Sequence, residues 1–205
     1  MKLLGIIILI IFYSIYIGKM ILQKKKGIQT DQMARNKSKN KVFYIELILK
    51  IATYTVVIVE VISLFAVSSK LPLIFTISGL VLGIIGDIIF ATAVFTMHDS
   101  WRAGIAEHDK TQIITKGIYQ FSRNPAFLGF DCVYIGFVLM FFNVPLLLFS
   151  IFAIVMLHLQ ILQEEQYLTK TFGETYTNYK KKVYRYIGRK SQIPRSKLQC
   201  VQRTL

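Results

Sequence analysis

The chain reads as an all-α polytopic membrane protein of about five transmembrane helices, with its N-terminus outside and a cytoplasmic C-terminal region. Three observations predict this. Of 205 residues, 54% are hydrophobic, and mean hydropathy is +0.50. The apolar residues fall in long blocks, whereas a soluble domain of this size mixes them with polar residues more evenly. The basic residues behind the net charge of +14 lie in the connections and the tail. In that position they report topology and anionic headgroups before nucleic acid. No nucleic-acid recognition module accompanies them.

A span needs roughly 20 apolar residues at helical rise. Residues 3–22, 42–68 and 71–97 qualify. The first of these has only Lys2 ahead of it and no small-residue cleavage site, so it reads as a retained helix. The stretch 126–162 is too long for one span and breaks at Asn143-Val144-Pro145, because proline removes a backbone donor. It divides into 126–142 and 144–162, a tight helical hairpin. Gly79, Gly83 and Gly86 recur at helical spacing and predict close packing of the third span.

Charge orients the spans. The connection 23–41 carries Lys24, Lys25, Lys26, Arg35, Lys37, Lys39 and Lys41 against Asp31. The connection 98–125 carries Arg102, Lys110, Lys116 and Arg123, and ten basic residues follow position 163. The other side offers Lys2 and Lys70. The positive-inside rule therefore puts all three polar segments in the cytoplasm. Residues 1–190 form a single domain, and 191–205 read as a basic disordered tail or a segment lying on headgroups. Cys132 and Cys200 do not suggest a structural disulfide, since one starts an apolar segment and the other lies in the tail.

Between spans three and four lies GIYQFSRNPAFLG, Gly117 to Gly129, answered by Glu164-Glu165, Phe172-Gly173, Tyr176, Tyr179 and Arg185. This ordered set, with Ser100-Trp101-Arg102-Ala103-Gly104-Ile105 ahead of it, resembles the isoprenylcysteine carboxyl methyltransferase and phospholipid methyltransferase superfamily. The resemblance covers about residues 71–187, the motif-bearing core. It implies an integral membrane methyltransferase that uses S-adenosylmethionine at the cytoplasmic face on a lipidic or amphipathic acceptor. It also implies a donor pocket lined by Thr111, Gln112, Ile113, Ile114, Tyr119, Asn124, Pro125, Ala126, Phe127 and Glu164. The pocket is helical, and the chain has no Gly-x-Gly-x-x-Gly after a strand.

The chemistry asks for such groups. Ribose hydroxyls and the methionyl amino group need acceptors, and Glu164 supplies two oxygens. Aromatic faces such as Tyr119 and Phe127 suit a sulfonium cation. Pro125 biases Asn124 toward extended backbone, leaving main-chain groups nearby to meet the adenine. Two positions depart from the prenylcysteine enzymes: Asn124 where they carry His, and Gln160 where they carry an Arg aimed at the substrate carboxylate. Loss of that cation argues against a prenylcysteine carboxylate.

Other polar residues have two readings each. His158 is a candidate general base for an amine acceptor, and Arg102 a candidate substrate contact. Arg123 binds an anion or snorkels to headgroups, and Trp101 reads as an interface anchor. Glu46 and Asp131 reach water near the cytoplasmic ends. Glu60 and Asp87 lie deeper and pair helices or act in function. His98, His108 and His158 lack metal-ligand spacing. Two other classes stay open: an NADPH-dependent lipid reductase on a related scaffold, and a non-enzymatic membrane protein that uses its basic loops for topology alone.

Overall fold

In the computed structural model, residues 1–35, 38–66, 71–105 and 112–190 are described. They form five α-helices: α1 (Lys2–Lys25), α2 (Lys41–Ala66), α3 (Leu73–Met97), α4 (Pro125–Met140) and α5 (Val144–Lys182). The described residues contain no strand beyond two isolated bridges. α1, α2, α3 and α5 are long and apolar enough to cross a membrane, and α4 is a shorter apolar helix. The protein is an integral membrane protein. The expected tail 191–205 and donor-pocket residue Thr111 lie outside the described residues.

Span boundaries follow the sequence closely except at the end of α5. At 16 residues, α4 is only about 24 Å long. The hairpin turn falls at the expected place because Asn143 caps α5. Its Oδ1 accepts from Leu146 N–H at 2.9 Å, while its Nδ2 donates to Ser63 Oγ and to the Phe141 carbonyl. α5 does not stop at 162. It continues for 39 residues, about 58 Å or twice the hydrocarbon thickness. About 20 residues from its start bring it to Glu164, so the following turns stand outside the bilayer. Gly173 then breaks the helix with φ of 52°, a left-handed conformation that glycine adopts without a Cβ clash. The break redirects Glu174–Lys182 so that Tyr176 and Tyr179 are buried.

The five helices pack chiefly in pairs. α3 lies against α4 at backbone distance because glycines face each other in antiparallel register. A Cβ on Gly79 would stand 2.5 Å from the Gly136 carbonyl, and one on Gly86 would stand 2.9 Å from the Gly129 carbonyl. The expected close packing of α3 is therefore its seam with α4. Ile8 of α1 meets α3 at Gly83. α2 packs along α5 through Leu49, Ala52, Val56, Ala153, Met156 and Leu157.

All three polar segments gather at one end of this bundle. Lys26 pairs with Asp99 at 2.8 Å, and Gln23 Nε2 donates to the Trp101 carbonyl. At the opposite end Lys2 Nζ donates to the Phe65 carbonyl.

The seam gives a prediction. Gly136→Ala places a Cβ 2.7 Å from the Gly79 carbonyl and 2.9 Å from Gly83 N. The backbones must part, at an overpacking cost of about 1–3 kcal/mol. Gly18→Ala, with nothing within 4 Å, should hold or raise stability. Thermal unfolding of both variants in detergent checks the contrast.

Candidate functional site

The segment Gly117–Asn124 is fixed from beneath by one buried carboxylate. Glu165, 4% exposed, accepts from Arg123 Nη2 at 3.0 Å and from Arg185 Nε and Nη2 at 3.0 and 2.9 Å. The hydrogen bond to Glu165 raises the Arg185 pKa further above its already basic value. Backbone bonds complete the clasp. Arg123 N–H donates to the Tyr184 carbonyl, and Gly188 N–H donates to the Phe121 carbonyl at 2.6 Å. Asn124 Nδ2 donates to the Arg185 carbonyl at 3.1 Å. Tyr179 OH donates to the Tyr119 carbonyl at 2.5 Å. Burial, aided by Tyr179 and Glu164, lifts the Tyr119 phenol far above its usual pKa and keeps it protonated.

A second buried carboxylate ties the first polar segment to the start of the second. Glu46, fully buried, accepts from Ala34 N–H at 2.8 Å and Ile105 N–H at 2.9 Å. Gln32 N–H donates to the Ala103 carbonyl, and Ala103 N–H donates to the Thr30 carbonyl. Thr30 Oγ1 donates to Gln23 Oε1 at 2.6 Å. The segments 28–35 and 101–105 thus form one roof over the bundle. Sequence placed Glu46 in reach of water; it is instead enclosed and engaged by backbone amides.

Under that roof lies a cavity of about 670 Å³. Its walls are largely aromatic and aliphatic, with Phe90, Phe127, Phe130 and Leu157 among them. Ile17, Ile21 and Tyr54, each more than half exposed, frame it on the outward sides of α1 and α2. Arg102 and Gln160 supply polar groups at its roofed end. Gln160 is 1% exposed; its Nε2 donates to Glu164 Oε1 at 3.1 Å, and its Oε1 has no partner. The cavity wall is therefore one hydrogen bond from Glu164.

The isoprenylcysteine carboxyl methyltransferase (ICMT) family model matches residues 79–170, a range running from α3 through Gln160 and Glu165. Residues 79–170 are ICMT-like. Protein-S-isoprenylcysteine O-methyltransferase B of Arabidopsis thaliana is 30% identical over 108 residues, 51% of this chain and 55% of that protein. A probable protein-S-isoprenylcysteine O-methyltransferase of Oryza sativa subsp. japonica is 34% identical over 110 residues, 52% of this chain and 57% of the relative. The Schizosaccharomyces pombe protein-S-isoprenylcysteine O-methyltransferase is 38% identical over 72 residues, 35% of this chain and 30% of the relative. The chain thus covers little more than half the length of the two plant relatives, and less of the yeast one.

Within the ICMT-like region the expected site residues divide into two groups. Ala126, Phe127 and Gln160 line the cavity, and Glu164 adjoins it through Gln160. Tyr119 is within electrostatic reach of Glu164. Ile113 packs with Tyr176, Tyr179 and Val183 beneath the clasp; Ile114 is half-buried and Gln112 exposed. Pro125 opens α4 as its first residue. Asn124 is buried in the clasp, and its N–H is taken by Ser122 Oγ at 3.1 Å. The Asn124 main chain expected to meet an adenine is therefore engaged, its N–H by Ser122 Oγ and its carbonyl by Leu128 N–H, while its side chain is held by the C-terminal segment.

Three expectations change. His158 is turned away from the cavity and pairs through Nδ1 with Tyr186 OH at 2.7 Å. Arg123 does not snorkel: Glu165 holds it in the interior through Nη2, which leaves Nε and Nη1 without a partner. Trp101 is no interface anchor. It is 4% exposed and packs edge-on against Tyr16 at 5.5 Å, and it lines the cavity. Arg102 does reach the cavity, while its Nη1 also donates to the Asp99 and Trp101 carbonyls. The roles of Glu165, Glu46 and Tyr179 went unread from sequence. The adjacent acids gave a signal, since Glu164 and Glu165 must face different sides of one helix.

Removing one member of a buried ion pair typically costs about 3–5 kcal/mol, because the other charge is left bare. Glu165→Ala should therefore strip hydrogen-exchange protection from 117–124 and 176–190 while α3 and α4 keep theirs. Glu164→Ala should leave both regions protected.

Proposed function

We propose that the chain is an S-adenosylmethionine-dependent methyltransferase whose donor lies beside Glu164 and Tyr119 and whose lipidic or amphipathic acceptor occupies the cavity. The observation that carries this reading is the Gln160–Glu164 hydrogen bond, which joins the cavity wall to the acid carried over as the donor ligand. Relatives named protein-S-isoprenylcysteine O-methyltransferase support a methyl transfer to a lipidated acceptor. With the polar segments on the positive-inside side, the donor enters from the cytoplasm.

The residues fit the donor. Gln160 Oε1 is a buried acceptor without a partner, and Arg123 Nε and Nη1 are buried donors without one. They complement a ligand that carries both hydroxyls and a carboxylate. Glu164 offers its carboxylate to ribose hydroxyls or the amino group. The protonated Tyr119 phenol and the Phe127 ring turn neutral faces toward positive charge without adding a competing anion. When bound, the donor supplies a sulfonium methyl that passes to an acceptor lone pair, leaving a neutral thioether.

The chain's own part is placement. The roof and aromatic walls keep water from the junction, and the Glu165 clasp fixes Tyr119 relative to Glu164. Alignment of this kind supplies much of the acceleration in a displacement that needs no protein nucleophile. The outward-facing gap between α1 and α2 admits an acceptor from the bilayer. Gln160 at the roofed end favours a head group without a full negative charge.

Two variants separate the halves of the site. Glu164→Ala should weaken donor binding about tenfold or more in calorimetry, the scale of a lost hydrogen bond to a charged group. Leu157→Trp, which fills cavity volume, should leave donor affinity within about twofold but remove labelled methyl from lipid extracts. Donor affinity unchanged by Glu164→Ala, or no donor binding by the wild type, contradicts the assignment.

A further inference from the structure

We propose that the inner end of the cavity is a second polar subsite, which receives a hydroxyl carried at the far end of an otherwise apolar acceptor. This rests on the cavity being the acceptor site, and it adds what the acceptor must look like at the end remote from methyl transfer.

Tyr13 and Tyr134 both line the cavity. They lie far along α1 and α4 from the roof. Tyr13 precedes the roof-level Lys24 by eleven residues, about 16 Å along the helix. Tyr134 follows Phe127 by seven, about 10 Å. Behind them stands Glu60 of α2, fully buried, whose Oε2 accepts from Tyr13 OH at 3.4 Å. Tyr134, also fully buried, is within electrostatic reach of Glu60 and Tyr13.

The cluster is incomplete. Glu60 Oε1 and Tyr134 OH have no hydrogen-bond partner, and neither does Ser150 Oγ. Ser150 lies one helical turn before Ala153, on the α5 face that packs against α2. Inside a bilayer such groups have no bulk water to turn to, and each unmet one costs several kcal/mol. Helix pairing accounts for Tyr13 with Glu60 Oε2 and leaves the others without a partner. A purely hydrocarbon tail would leave them unmet as well.

Ser150 does not line the cavity, and a hydroxyl meets the needs of Glu60 Oε1 and Tyr134 OH. It donates to Glu60 Oε1 and accepts from Tyr134 OH, and it still serves if the carboxyl carries its own proton. A carbonyl accepts only, so it satisfies Tyr134 and leaves an ionised Glu60 unmet. The ligand class is therefore an amphiphile with polar groups at both ends of an apolar body about 10–16 Å long. One end lies at Gln160 and the other at Tyr13 and Tyr134, with Glu60 directly behind them.

Trp101 is the single tryptophan and lines the cavity, so quenching by bromododecane reads occupancy. Displacement of that probe by dodecanol and by the dodecanediol with terminal hydroxyls would be compared in wild type, Tyr134→Phe and Glu60→Gln. Melting temperature would check that the variants fold. The expected result is a diol-to-alkanol preference that falls about tenfold in Tyr134→Phe, the scale of one hydrogen bond within a charged cluster. It should fall less in Glu60→Gln, which keeps an acceptor oxygen. A preference unchanged in both variants overturns the subsite, and dodecanol still displacing the probe would then leave the acceptor cavity standing. Failure of the probe to quench Trp101 in the wild type overturns both.

Discussion

The Glu165 carboxylate is the point on which the polar half of this protein turns. It lies on α5, among the described residues the one helix long enough to cross the bilayer and keep going, and it faces inward about 20 residues from the start of that helix. Arg123 comes to it from the segment before α4, and Arg185 from the segment after α5. A buried ion pair is weak support for net stability, since desolvation offsets much of the attraction. What it supplies here is registry. Two guanidinium groups sharing one carboxylate allow few relative positions of 117–124 and 183–190, and the backbone bonds between those segments follow.

The membrane explains the rest of the division. Among helices in lipid, close packing replaces the hydrophobic effect as the organising force, and the α3–α4 glycine seam is the tightest contact here. α1 and α2 do not close on each other in the same way, and the cavity occupies the space between them. Ile17, Ile21 and Tyr54, each more than half exposed, border that space. Its roof must be irregular backbone, and irregular backbone near the bilayer needs internal partners. Glu46 supplies two of them, which is why a fully buried acid sits at the start of a transmembrane helix.

Much of this was legible in the sequence. Block hydrophobicity placed all five helices, and the basic connections implied that three polar segments share one end. The Gly79, Gly83 and Gly86 spacing implied a close helix seam but not its partner, because Gly129 and Gly136 lie in another block. Residue types alone could not assign the two adjacent acids. Glu164 and Glu165 are chemically equal until helix phase turns one toward the cavity and the other into the clasp. Helix phase likewise sends His158 to Tyr186 and Gln160 to the cavity, two residues apart on the same turn. Asn124 carried the motif signal, but its partner is a carbonyl in a C-terminal segment that periodicity does not position.

The central claim is that the donor and acceptor halves of the site meet at the Gln160–Glu164 junction. A structure determined with S-adenosylhomocysteine at saturating concentration tests it most directly. The account predicts density held by Glu164 and Tyr119, with the sulfur directed past Gln160 into the cavity. Density at any other surface, or density at Glu164 with the sulfur walled off from the cavity, would contradict it.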